Sequence, residues 1–200
     1  MTARALDVIR DEHRALAGML TALRTLVRDW RVRGLRPDLG VLRAMVFYVH
    51  AFPERLHHPK ESELLFDALR RKPGAPLEVL DRLDAEHGRG EDAVLRLGMA
   101  LLEVEQLGAA RLPAFADAVE RYVAGYLRHM DVEEREVLPF ADRALSTAEW
   151  ASIDAAFADN RDPLTGHPPL EAFRALFSRI VAAAPSPVGL GDALSPDRAA

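Results

Sequence analysis

The chain has 200 residues, 49% of them hydrophobic and 28% charged, which is enough apolar material for one sizeable core; a formal net charge of −5 argues against a nucleic-acid surface. It contains no cysteine, so disulfides, thiolate nucleophiles, protein-held iron–sulfur clusters and cysteine zinc sites are excluded, and any metal must rest on nitrogen and oxygen. No stretch reaches the roughly 18–20 apolar residues of a membrane span, and Met1 to Arg14 carries charge where a signal peptide would be apolar, so a soluble, cytoplasmic protein is expected.

Alanine, leucine, arginine and glutamate dominate, which favours helices wherever an apolar period exists. The first predicted helix runs from about Ala3 to Arg31, with Leu6, Ile9, His13, Leu16, Leu20, Leu23 and Val27 on one stripe. A breaker from Arg33 to Asp38 leads into a second helix, about Asp38 to Leu69. The cluster Lys72 to Pro76 leads into a third, about Pro76 to Gln106, and Leu107 to Pro113 into a fourth, about Pro113 to Leu145. Pro53, Pro59 and Pro139 fall inside these helices, where each deletes a backbone hydrogen bond, so kinks are expected there. Short connections imply antiparallel neighbours. The expected fold is therefore all-α, an up-down-up-down antiparallel four-helix bundle over residues 1–146. Ser146 with Glu149 three residues on forms a capping-box pattern opening a short helix around Trp150 to Phe157, and a second short helix is expected from about Leu170 to Ala182. These two extra C-terminal helices make an extension over 147–182. Residues 183–200, rich in Ala, Pro, Ser and Gly, are expected to be a flexible tail.

The chemistry lies in the histidines. Residues four apart on a helix share a face, and three His-x-x-x-Glu pairs occur: His57 with Glu61, His87 with Glu91, and His129 with Glu133, with His13 alone on the first helix. In an antiparallel bundle two residues meet when they lie equally far from the turn between their helices. His13 and His57 each lie about 19 residues from the first turn, Glu61 and His87 about 11 from the second, and His87 and His129 roughly 17–20 from the third. All the candidate ligands fall in one layer. Imidazole with carboxylate and no thiolate suits iron, manganese or zinc. Glu91 reads either as a ligand or as a solvated or outer partner. His58 points about 100° away from His57 in an α-helix, which suits a surface or supporting place. His50, Tyr122, Tyr126 and Glu134 lie close enough in sequence to support the layer, and His167 sits in a Pro-rich loop beyond it.

The residues Asp11-Glu12-His13, His57-His58-Pro59-Lys60-Glu61, Glu86-His87 and His129 to Glu133 resemble the hemerythrin-like, HHE cation-binding family over about residues 1–145. The resemblance implies two non-haem iron ions with an oxo or hydroxo bridge, manganese or zinc being possible substitutes. It also implies His13, His57, His87 and His129 as terminal ligands, with Glu61 and Glu133 bridging. The oxygen carriers of that family place a fifth His where this chain has Glu91, so the pattern is closer to the branch resembling sensors and iron–sulfur repair proteins. A carboxylate in that place would favour ferric iron, and redox chemistry on dioxygen, peroxide or nitric oxide is expected ahead of oxygen transport. Sensing without turnover, reversible oxygen binding and a metal-free scaffold are the alternatives, so whether the chain is an enzyme stays open. The expected partners are a small diatomic ligand or peroxide, an electron donor the sequence does not identify, and a second copy in a homodimer, with no nucleic acid and no membrane.

Overall fold

A computed structural model describes residues 4–160, 162–167 and 174–183. Among them every regular element is helical and no strand occurs. The expected tail, beyond Ala183, lies outside the described residues. Helix α1 spans Arg4–Arg33, α2 residues 39–70, α3 Leu77–Leu107 and α4 residues 112–144; two shorter helices follow, α5 at Thr147–Phe157 and α6 at Arg174–Ala183. α1 ends where Gly34 takes φ 74°, a left-handed conformation that costs glycine nothing, and its N–H returns to Trp30 O at 3.1 Å. Asp38 caps α2 by accepting from Gly40 N at 2.7 Å. Ser146 and Glu149 cap α5 reciprocally, each side chain meeting the other's backbone N–H.

The chain stays helical through all three internal prolines. Residues His50–His57, Glu61–Phe66 and Glu133–Val137 adopt wide π-helical turns, in which the N–H bonds five residues back. Pro53 lies inside the first such stretch, Pro59 between the first and second, and Pro139 just beyond the third. A proline cannot close the α-helical bond and crowds the carbonyl four residues back; a wider turn relieves both faults without ending the helix. No described helix is long and apolar enough to cross a membrane.

Each long helix packs against its neighbours in sequence, and α1 closes the ring against α4; α5 lies on α1 and α6 on α2. The apolar interior is divided in two. One cluster holds Leu16, Leu20, Met45, Tyr48, Val94 and Phe115, and the other Leu6, Ile9, Leu65, Phe66, Leu80 and Phe157. Along every long helix the division falls at a polar layer: His13 between Ile9 and Leu16, Glu61 between Phe52 and Leu65, His87 between Leu83 and Val94, and Glu133 between Met130 and Val137.

Candidate metal centre

The layer brings together six of the seven expected ligands. Glu61 and Glu133 lie at its centre, 0% and 1% exposed. Around them, His57 Nε2 lies 3.2 Å from Glu61 Oε1, His13 Nε2 3.4 Å from Glu133 Oε2, and His129 Nε2 3.5 Å from Glu133 Oε1. His87 Nε2 lies 3.6 Å from both carboxylates and 3.0 Å from His129 Nε2. All four oxygens of Glu61 and Glu133, and His57 Nε2, are buried with no hydrogen-bond partner. Buried polar atoms are almost always bonded, so this group needs a reason. Donor atoms bound at about 2.0–2.2 Å to one cation lie roughly 3 Å apart, close to the spacing here. The residues fit metal. Among the described residues, three triads have donor atoms within 4.8 Å of one another: His13, His57 and Glu61; Glu61, His87 and Glu133; and His58, His87 and His129.

The third triad is the difference from the expectation. His58 is buried at 6% exposure, not on the surface, and its ring stacks on His87 with centroids 4.1 Å apart. His57 turns toward Glu12 and Glu61 and His58 toward His87 and Tyr126, so consecutive histidines both lie inside the bundle, on different sides of α2. Glu91, by contrast, is not brought to the layer. Its side chain is 63% exposed and lies 3.9 Å from Arg55. The level one turn beyond His87 is occupied by Glu54, packed so closely on α3 that a Cβ on Gly90 would overlap its carboxylate. His50 lines an outer groove with Glu91, away from the layer, and His167 is exposed.

Each imidazole has a partner on its far nitrogen. Nδ1 lies 3.1 Å from Glu134 for His13, 2.6 Å from Glu12 for His57, 3.1 Å from Glu54 for His58, 2.9 Å from Ser62 Oγ for His87, and 2.8 Å from Glu86 for His129. An Nδ1–H donated outward fixes the tautomer and leaves the Nε2 lone pair directed inward. Tyr126 Oη meets His58 Nε2 at 3.0 Å, and Tyr122 donates to Glu54 at 3.2 Å, so both tyrosines support the layer. Of these partners only Glu134 and the tyrosines were expected. Glu54 lies four residues before His58, a spacing that marks it once His58 faces inward, whereas Glu12 and Glu86 each stand beside a histidine they do not serve. Asn160 continues outward from this shell: it donates to Glu12 at 3.0 Å and accepts from Lys60.

Electrostatics follow from burial and pairing. Burial opposes protonation of His57, yet Glu61 and Glu12 outweigh it and hold the imidazole well above its ordinary range. Burial likewise opposes protonation of His129, but Glu133 and Glu86 raise it to about 9. Glu133 is held well below the carboxylate range by His129, His13 and His87 despite burial that acts the other way. His58 is driven well below its ordinary value by burial and the neighbouring His87 and His57. Beside His13 and His57 lies a cavity of about 20 Å³ whose walls include Leu16, Phe52 and Leu56, room for one molecule the size of water.

Among known proteins, the model of the hemerythrin HHE cation binding domain matches residues 4–141. No curated protein and no solved structure matches the chain.

Proposed function

Because this chain belongs to the hemerythrin HHE cation-binding family, we propose that its polar layer holds two non-haem irons and that the protein binds or senses dioxygen, nitric oxide or peroxide. The observation that carries the reading is the pair of buried carboxylates whose four oxygens lack any hydrogen bond while imidazole nitrogens surround them. His58, His87 and His129 would hold one ion and His13 and His57 the other, with Glu61 and Glu133 shared between them. Bound there, two irons would supply electron exchange with a small oxygen- or nitrogen-containing ligand. The residues do the rest. Glu134, Glu12, Glu54, Ser62 and Glu86 orient the imidazoles. Leu16, Phe52 and Leu56 give an apolar wall to a space that admits one small molecule beside His13 and His57. The same reading takes the four long helices as an up-down-up-down bundle, residues 147–182 as its helical extension, and the cytoplasm as its setting.

Reversible oxygen binding is the second reading, and His58 is the observation that favours it. The expectation of ferric redox chemistry rested on Glu91 as a ligand. With Glu91 exposed and His58 buried in the layer, the set is five imidazoles and two carboxylates, and that argument for redox over carriage loses its premise. Cycling iron-loaded protein between air and vacuum separates the two: a spectrum that returns reversibly supports binding, and irreversible oxidation supports redox chemistry.

Metal analysis of anaerobically iron-reconstituted protein tests the centre. We expect about two irons per chain, a lower content in His58→Ala and Glu133→Ala, and wild-type content in Glu91→Ala. Wild-type protein retaining no iron would overturn the di-iron reading. A loss in Glu91→Ala equal to that in His58→Ala would overturn the ligand assignment.

A further inference from the structure

Beside His58 and His129, α3 and α4 part to leave a groove of about 450 Å³. Its size is that of a site for an organic molecule, far beyond what a diatomic ligand needs. The two helices line it with matched rails. Arg82 and Arg89 stand on α3, seven residues apart, and Arg121 and Arg128 on α4, again seven apart. Residues at this spacing project from one face of a helix, so the four guanidinium groups converge on one concavity. Gly125 adds no side chain to the space, and Arg128 folds back over it, its Nη2 4.0 Å from where a Cβ would stand there, while the place of a Cβ on Gly90 is taken by the Glu54 carboxylate.

The charge is unbalanced. Elsewhere on the molecule arginines find acids: Arg43 meets Glu105 at 2.6 Å, Arg70 meets Asp84 at 2.9 Å, and Arg135 meets Asp131 at 2.9 Å. Among the described residues, none of the four groove arginines has a carboxylate within 4.0 Å. Two carboxylates also line the groove, but Glu54 is bound to His58 and Tyr122 and Glu86 to His129, so four guanidinium groups stand at one opening of an acidic protein with no ion pair of their own. The floor of the groove is the three-histidine side of the layer: His58, His129 and Tyr126 all line it. Leu83, Ala93 and Val132 supply apolar wall between the charges.

We propose that this groove binds a small organic anion, carrying carboxylate or phosphate, in contact with the metal layer. A guanidinium fork matches both groups with paired hydrogen bonds, and facing pairs on two helices suit a molecule with an anionic end and an apolar body. The concave shape and the apolar strip favour a compact molecule over an extended polyanion. The inference deepens the reading above, since it names a second molecule that meets the same layer, and it rests on that reading only where the metal reports the binding.

Calorimetric titration tests it, with phenyl phosphate and isophthalate as anionic probes and benzyl alcohol as the uncharged control, at near-physiological salt on metal-free and iron-loaded protein. Among the described residues the four arginines make no hydrogen bond or ion pair, so substitutions there should cost the fold little. We expect saturable binding of at least one anion and none of benzyl alcohol. Affinity should fall about tenfold or more in the double variant Arg89→Gln/Arg128→Gln and hold in Arg71→Gln/Arg143→Gln, which removes the same charge outside the groove. In iron-loaded protein a saturating anion should also shift the visible absorption of the centre. Preference for one probe identifies phosphate or carboxylate as the natural group. Absence of saturable binding to wild-type protein, or equal weakening in both double variants, would overturn the proposal. Protein that takes up no iron yet binds the anions would leave the groove standing and remove the metal reading, so the two failures are distinct.

Discussion

His129 holds a proton in the metal-free protein that it would release in the unfolded chain at neutral pH, because Glu133 and Glu86 raise its pKa to about 9 against an ordinary 6.5. A group whose folded pKa is raised contributes stability that is complete below the unfolded value and lost as pH rises through the folded one. Metal-free protein should therefore lose thermal stability as pH rises from about 6.5 to about 9. His57 and His13, also raised, act in the same direction. His129→Gln should make the slope shallower without reversing it, and melting temperatures measured across that window check both; an unchanged slope in the variant would show that His129 is not the proton's holder. Iron must displace these protons to reach Nε2, so uptake at neutral pH should acidify weakly buffered solution.

At the scale of the helix, Gly90 breaks a rule of propensity. A mid-helix glycine costs about 1 kcal/mol relative to alanine, yet a Cβ there would collide with Glu54, whose carboxylate is bound to His58 and Tyr122. Gly90→Ala should thus destabilise the protein by roughly 1–3 kcal/mol in urea unfolding instead of stabilising it; a stabilised variant would show that Glu54 moves aside freely. The same element explains what the sequence could and could not disclose. Six residues of the layer, His13, His57, Glu61, His87, His129 and Glu133, were legible because depth along a helix depends only on counting residues between turns. His58 was not, because its place is set by packing on His87 and Tyr126, far away in sequence, and Pro53 and Pro59 reveal a disturbance without saying whether it becomes a kink or a π turn. Glu91 was misplaced for a related reason. Its i+4 spacing from His87 suggested a shared face, but the structure turns Glu91 outward and sets Gly90 against Glu54, which fills the next level. The helical class and the breaker-bounded segments followed from composition and periodicity, whereas the packing of α5 on α1 and α6 on α2 rests on contacts far apart in sequence.

For the molecule as a whole, the polar layer does more than offer ligands, because among the described residues it leaves the apolar interior in two clusters with no buried hydrophobic group bridging them at its level. Without a cation, the adjoining surfaces are carboxylates and imidazoles held by proton sharing; with one, a set of coordinate bonds ties all four long helices at mid-height. Amide hydrogen exchange on metal-free protein should then resolve two protection classes, one around Leu20, Met45 and Phe115 and one around Leu6, Phe66 and Leu138, and iron should merge them into a single slower class. One class in both states would mean that helix continuity alone couples the halves. The consequence reaches past ligand chemistry. A molecule whose cooperativity depends on its metal unfolds by halves when starved of it, presenting cleavable backbone at its waist to proteases while its ends stay folded. On the proposed di-iron reading, its lifetime in a cell would then follow the iron supply with no separate sensor.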